Sequence, residues 1–245
     1  MKNGKIVLQV IVIIILLFRH TLITRQHFET ARHAQSVRRA FTLVELLVVI
    51  AILGILAAML LPALSRAMEK GKAARVRGEL HCVGLALHMY SDDNGGALPP
   101  VRVNCNSDLM EHWCEFPVEL ATQGYLPRGN KPGMAANMED IFNRGHTYKY
   151  AAPGPCLLNG SATADYSLWV PDDFPNCQSD SGKYYSKQKE SPVRWVIWSL
   201  GPIPNSAKSQ DDHAPMAGRS WYRQSGQGGI IAQMANQNDF QLQSR

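Results

Sequence analysis

Apolar positions cluster at the start of the chain and thin out toward its end. Two continuous apolar runs come first. Ile6–Phe18 has 13 residues with Gln9 inside, short of the roughly 20 that a membrane-spanning helix needs. Two readings stand for it. It fits the hydrophobic region of a signal peptide, although Phe18-Arg19-His20 offers no small-residue cleavage site. Alternatively, the start codon lies further downstream and this run is absent from the cellular protein. Phe41–Leu64 has 24 residues. As a helix it would be about 36 Å long, enough to cross about 30 Å of hydrocarbon.

After Leu64 the pattern turns helical. Leu64, Ala67, Gly71, Ala74, Gly78, Cys82, Leu85 and Met89 recur at steps of three or four. Arg66, Glu69, Lys70, Lys72, Arg75, Arg77 and Glu79 fill the other faces. From Leu80 a second stripe adds Val83, Leu87 and Tyr90. A helix apolar on two faces calls for cover by a packed domain. Gly71, Ala74 and Gly78 are small enough to let another helix approach, or simply pack as they fall. The turn formers from Ser91 to Gly96 should end the helix near residue 92. The whole element, residues 41 to 92, would be about 78 Å long.

Residues 97–245 hold 13 of the 14 prolines and few long periodic segments. Alternation and β-branched content predict strands at Tyr148–Ala151, Tyr166–Val170, Arg194–Leu200 and Gly229–Met234. Short strands and long loops against one helix predict an α+β fold. Trp113, Trp169, Trp195, Trp198 and Trp221 are expected in its core. The segments are then 1–40 (a leader), 41–64 (a transmembrane helix), 65–92 (its amphipathic continuation) and 93–245 (a head).

The net charge of +5 does not indicate nucleic acid. Residues 1–40 hold seven basic groups and one acid, whereas residues 41–245 hold 18 and 19. Basic charge before an apolar span keeps that end in the cytoplasm, and the rest of the chain gives no electrostatic case for DNA. Five cysteines form no Cys-x-x-Cys pair, which argues against a zinc ribbon. Outside the cytoplasm disulfides become available. Cys105 with Cys114 and Cys156 with Cys177 are the locally closed pairings, one of three arrangements that four cysteines allow. Cys82 is then left over.

Glu45 and Pro62 sit inside the apolar run. An ionised carboxylate costs about 2.5–3.5 kcal/mol within a bilayer and calls for a partner. If the chain were cut after Ala40, Phe41 would carry a new amine, and Glu45 would lie one helical turn away. The carboxylate could then pair with the amine of a neighbouring subunit. Pro62 removes a backbone donor near the outer end of the span, and Gly54 adds a second weak point.

Arg38-Arg39-Ala40 followed by Phe41-Thr42-Leu43-Val44-Glu45 resembles the cleavage signal of type IV prepilins and type II secretion pseudopilins. The resemblance continues through Leu64. It implies a prepilin peptidase that cuts before Phe41 and methylates the new amine. It also implies a role for Glu45 in assembly, a proline at position 62, and a pilin-like fold. One departure is Ala40, where the family usually has glycine. A plain signal anchor with Glu45 snorkelling to water is the alternative to a processed prepilin. The stretch HCVGLALHMYSDDNGGALPP resembles pseudopilin-like proteins abundant in Planctomycetes, Verrucomicrobia and Lentisphaerae, with Cys82 at their cysteine position in compressed spacing. Those proteins often close with a histidine, a spacer, Asp-Gly and a strand. Here Arg223 follows His213 by ten positions, Asp-Gly is missing, and Gly228–Met234 matches the closing strand.

No Gly-x-Ser-x-Gly, P-loop or His-Glu-x-x-His motif occurs, and no enzyme is expected. No metal or other cofactor is assigned. Calcium through Asp92-Asp93-Asn94 or Asp172-Asp173 competes with plain turn chemistry, which fits better. His112 with Cys114, and Asp211-Asp212-His213, make no recognisable site. The expected protein is a structural pseudopilin of a secretion pseudopilus or type IV pilus. It would be anchored once in a bacterial inner membrane, with its head in the periplasm. Its partners would be the prepilin peptidase and other pilin-type subunits, without nucleic acid. The alternative is a membrane-anchored binding module for cargo or polysaccharide.

Overall fold

The computed structural model describes residues 43–104, 114–129, 137–211 and 215–244. The run Ile6–Phe18, the junction Ala40/Phe41, Cys105, His112, Trp113 and His213 lie outside these. Two compact units divide the chain, Met1–Gly54 and Ile55–Arg245. In the first, the described residues are helical.

Helix α1 runs Leu43–Asp93 and continues through Pro62. It is long and apolar enough to cross a membrane, and its most apolar stretch has no buried residue. The head covers α1 further on, along Ala73, Val76, Leu80, Val83, Leu87 and Tyr90. Full burial of a Val or Leu side chain contributes about 1.5–3 kcal/mol, so this stripe is the main hydrophobic tie between helix and head. The covered face is the second stripe of the sequence pattern, extended back to Ala73. The first stripe stays exposed: Leu64, Ala67, Gly71, Ala74, Gly78, Cys82, Leu85 and Met89. The helix ends as expected: Asn94 Nδ2 donates to the Tyr90 carbonyl at 2.7 Å, and Gly95 and Gly96 follow with positive φ.

The head is built of short strands: β1 (Val101–Val103), β2 (Lys149–Ala151), β3 (Gly154–Leu158), β4 (Ser161–Tyr166), β5 (Leu168–Pro171), β6 (Gly182–Tyr185), β7 (Val193–Ser199), β8 (Ile231–Asn236) and β9 (Gln241–Gln243). A four-residue helix, α2 (Glu119–Thr122), follows β1. One antiparallel sheet has the order β2-β7-β8-β9. A second, β1-β3-β4, pairs β1 with β3 in parallel and β3 with β4 antiparallel. β5 and β6 form a two-stranded antiparallel pair. The architecture is α+β and pilin-like: one long N-terminal helix with a head of small, mainly antiparallel sheets.

α1 packs on the four-stranded sheet. Gly84 makes this contact close: a Cβ there would stand 2.8 Å from Trp195 Cη2 on β7. One turn on, His88 meets the same indole edge-on, with ring centroids 5.7 Å apart. His81 Nδ1 hydrogen-bonds Gln241 Oε1 at 3.0 Å, and Gln243 Nε2 donates to the Arg77 carbonyl at 3.2 Å. Trp169, Trp195, Trp198 and Trp221 are all buried, as the composition suggested.

Three expected strands shift by one or two residues: β2, β7 and β8 stand at Lys149–Ala151, Val193–Ser199 and Ile231–Asn236. The fourth, Tyr166–Val170, is divided between the end of β4 and the start of β5. The presumed closing strand is an interior one, because β9 adds an edge beyond it.

Candidate functional site

The assembly residues expected from the sequence lie on α1. Glu45 is in its first turn and half-buried. Its neighbours Leu43 and Leu46 are 80% and 57% exposed. At Gly54 a Cβ would meet nothing within 4 Å. Pro62 is exposed within the helix. All three positions lie on α1.

The site that the structure builds is a latch between α1 and the end of the head. Glu69 is its centre. Its carboxylate accepts from Tyr222 Oη at 3.0 Å, from Ser225 Oγ at 2.8 Å and from the Gly226 amide at 3.0 Å. Partial burial works to raise the Glu69 pKa, but hydrogen bonds from Ser225, Gly226 and Tyr222 outweigh it and hold the pKa below its usual value. Nearly three turns further, Glu79 accepts from Tyr148 Oη at 2.5 Å and from Arg75 Nε at 2.7 Å. Near the end of α1, Arg194 on β7 reaches both Asp239 and Ser91, and His88 Nδ1 lies 3.2 Å from Asp239 Oδ1. The latches thus tie α1 to the head at three levels, around the buried stripe. Nothing in the periodicity singled out Glu69, since its partners stand more than 150 positions away.

The expected Cys156–Cys177 disulfide is not formed, and Cys114 is in no disulfide among the described residues. Cys114, Cys156 and Cys177 carry free thiols, and Cys82 is free and exposed. Cys114 Sγ donates to Tyr166 Oη at 3.4 Å. Cys156 lies on β3, whereas the Cys177 carbonyl accepts from the Gly218 amide at 2.7 Å. Burial pushes the Cys114 and Cys177 thiols up to about 12.

The acidic pairs weighed for calcium serve the fold. Asp173 caps a turn, accepting from the amides of Gln178 at 2.9 Å and Ser179 at 3.0 Å. Asp93 Oδ2 accepts from Tyr125 Oη at 2.7 Å. Asp211 is bound to Arg219. Among the described residues no three His, Cys, Asp or Glu side chains cluster as metal ligands.

A long helix with an apolar N-terminal half, latched to an α+β head, defines a membrane-anchored protein of pilin-like architecture. The comparisons with known proteins agree. Residues 35–61 match the family described as the prokaryotic N-terminal methylation motif. The chain is 32% identical over 115 residues to the type II secretion system core protein G of Pseudomonas aeruginosa, covering 46% of this chain and 73% of that protein. It is 58% identical over 40 residues to the type IV major alpha-pilin of Moraxella bovis, covering 16% of this chain and 25% of that one. No solved structure matches. The chain belongs to the prepilin and pseudopilin family.

Proposed function

We propose that this chain is a filament subunit, cut between Ala40 and Phe41 by a prepilin peptidase and methylated on the new amine. Anchored in the inner membrane with its head in the periplasm, it packs through α1 into a type II secretion-like pseudopilus or a type IV pilus. In this reading 1–40 is the leader, 41–64 the anchor, 65–92 the spine and 93–245 the head. Glu45 pairs with the Phe41 amine of a neighbouring subunit, which offsets the cost of a carboxylate in lipid. Gly54 and Pro62 give the anchor local freedom as it leaves the bilayer.

The observation that carries this reading is the exposed stripe of α1. Leu85 and Met89 are 49% and 56% exposed although the head lies against the same helix. At Gly71 and Gly78 a Cβ would meet nothing within 4 Å. A stripe of small and apolar residues that the head leaves open, following an apolar span on the same helix, suits packing against other helices. The test is a Leu85→Arg, Met89→Arg double variant. It should melt like the parent protein yet fail to enter sheared or sedimented filaments. Normal filament yield would count against the reading.

A further inference from the structure

The face of α1 that the head buries from Ala73 onward continues uncovered toward the apolar span. Leu61, Ser65, Met68 and Lys72 follow one another along it at helical steps. Phe142 and Pro202 overhang this uncovered stretch, and together these residues line a cleft of about 420 Å³. Leu61, Leu64 and Met68 are 64%, 56% and 58% exposed.

The position of the cleft along α1 sets its surroundings. The apolar run ends at Leu64 and the first charge is Arg66. Residues 41–64 exceed the hydrocarbon thickness by about 6 Å, or about four residues. Leu61 and Leu64 therefore stand where acyl chains give way to headgroups, and Lys72 stands about two to three turns above them. Lys72 lines the cleft, and Arg66 and Lys70 are exposed on the neighbouring turns. The acid within this stretch, Glu69, has its carboxylate engaged by Tyr222, Ser225 and Gly226. Glu69 lines the cleft as well and stays ionised, so with Arg66, Lys70 and Lys72 the stretch from 65 to 72 carries three positive charges against one negative.

The overhang is built rather than loose. Asp140 Oδ1 accepts from the Phe142 amide at 3.0 Å. Ser209 Oγ hydrogen-bonds the carbonyls of Leu200 at 2.8 Å and Ile203 at 3.1 Å, which closes the loop around Pro202. That loop presents Ile203, 43% exposed, and an exposed Lys208. An exposed isoleucine on a clamped loop beside a membrane anchor, flanked by lysine, is the pattern of an interfacial contact.

We propose that the cleft seats an anionic phospholipid from the leaflet on the head's side of the membrane. Its acyl chains lie on Leu61, Leu64 and Met68, and its phosphate lies toward Lys72. Ile203 enters the same interface. Continuity with the span and the positive charge of the rim favour lipid over a second copy of the chain as occupant. The contact holds the head against the bilayer before the subunit leaves it. This inference rests on the membrane anchor and not on filament assembly.

The test uses the full chain, one copy per lipid nanodisc, with Phe142→Trp as the reporter. The unsubstituted protein supplies the tryptophan background. The added emission should be quenched in discs of phosphatidylglycerol with brominated acyl chains. It should be quenched less in brominated phosphatidylcholine, and Lys72→Glu should remove the difference. Added emission indifferent to bromine would overturn the proposal. Quenching equal in both lipids and unchanged by Lys72→Glu would overturn the anionic assignment. If Phe142→Trp lowers the melting temperature, Ile203→Trp takes its place. A chain missing from the disc fraction would contradict the anchor itself, an outcome distinct from an inserted but unquenched protein.

Discussion

Tyr222 Oη donates to Glu69 Oε1 at 3.0 Å, joining positions 153 apart in the chain. The contact lies where α1 enters the head, one turn before the first fully buried residue, Ala73. The same carboxylate takes two further donors from the loop that follows Tyr222, so one side chain on the helix fixes the approach to β8.

Removing that carboxylate should loosen the junction without unfolding the head. Glu69→Ala should cost about 1 kcal/mol, a modest figure because the site is partly solvated and screened. Its pKa is lowered in the folded protein. The contribution is therefore complete above the unfolded value, near 4.5. It is lost as pH falls through the lower folded value. Thermal melts of parent and variant from neutral to acidic pH should converge at the acidic end. Equal separation at every pH would contradict the assignment.

Two helical glycines should respond in opposite ways. Gly84→Leu drives a side chain into Trp195 and should destabilise by about 1–3 kcal/mol, read by denaturant titration. Gly78→Leu meets empty space and should be neutral or stabilising by up to about 1 kcal/mol through helix propensity. The same Gly78→Leu should reduce filament yield if the exposed stripe packs between subunits.

Thiol reagents should separate the cysteines by burial. Cys82 is exposed, whereas Cys114 and Cys177 are buried with thiols pushed up to about 12. At mildly alkaline pH a maleimide should label Cys82 first, and should reach Cys114 and Cys177 only after denaturation. Peptide mapping distinguishes them. Rapid labelling of Cys114 in the folded chain would contradict its placement.

Glu45→Ala should leave the head's melting temperature unchanged and lower filament yield at least roughly tenfold, the factor that 1.4 kcal/mol represents. Glu45→Gln should fall nearly as far, because the proposed contact is between charges. Assembly at parental levels in both variants would remove Glu45 from the account.

The anchor, the spine and the interior strands were legible because each obeys a strong local rule. Phe41–Leu64 is continuous in hydrophobicity, Ser91–Gly96 is dense in turn formers, and β7 is a β-branched and aromatic run. The stripe the head would cover was not fixed by periodicity, since both α1 faces are apolar and the choice is tertiary. β4 escaped notice because residues 161–165 are exposed and small or polar. β9, Gln-Leu-Gln, carries little β signal and forms by pairing with β8. The parallel pairing of β1 with β3 joins residues 55 apart, as Val101 opposite Cys156 shows, beyond the reach of any turn signal. Glu69 looked like one more charge on a solvated face. Gly84 did leave a trace: a helix glycine inside an apolar stripe, where its cost suggests a close neighbour.

The central claim is that this subunit is made by cleavage at Ala40/Phe41, and N-terminal mass spectrometry of the membrane-bound protein from its native host tests it most directly. The account predicts a chain that begins at Phe41 with a methylated amine. A chain that retains residues before 41 would contradict it and leave a signal-anchored protein whose Glu45 has no processed amine to meet.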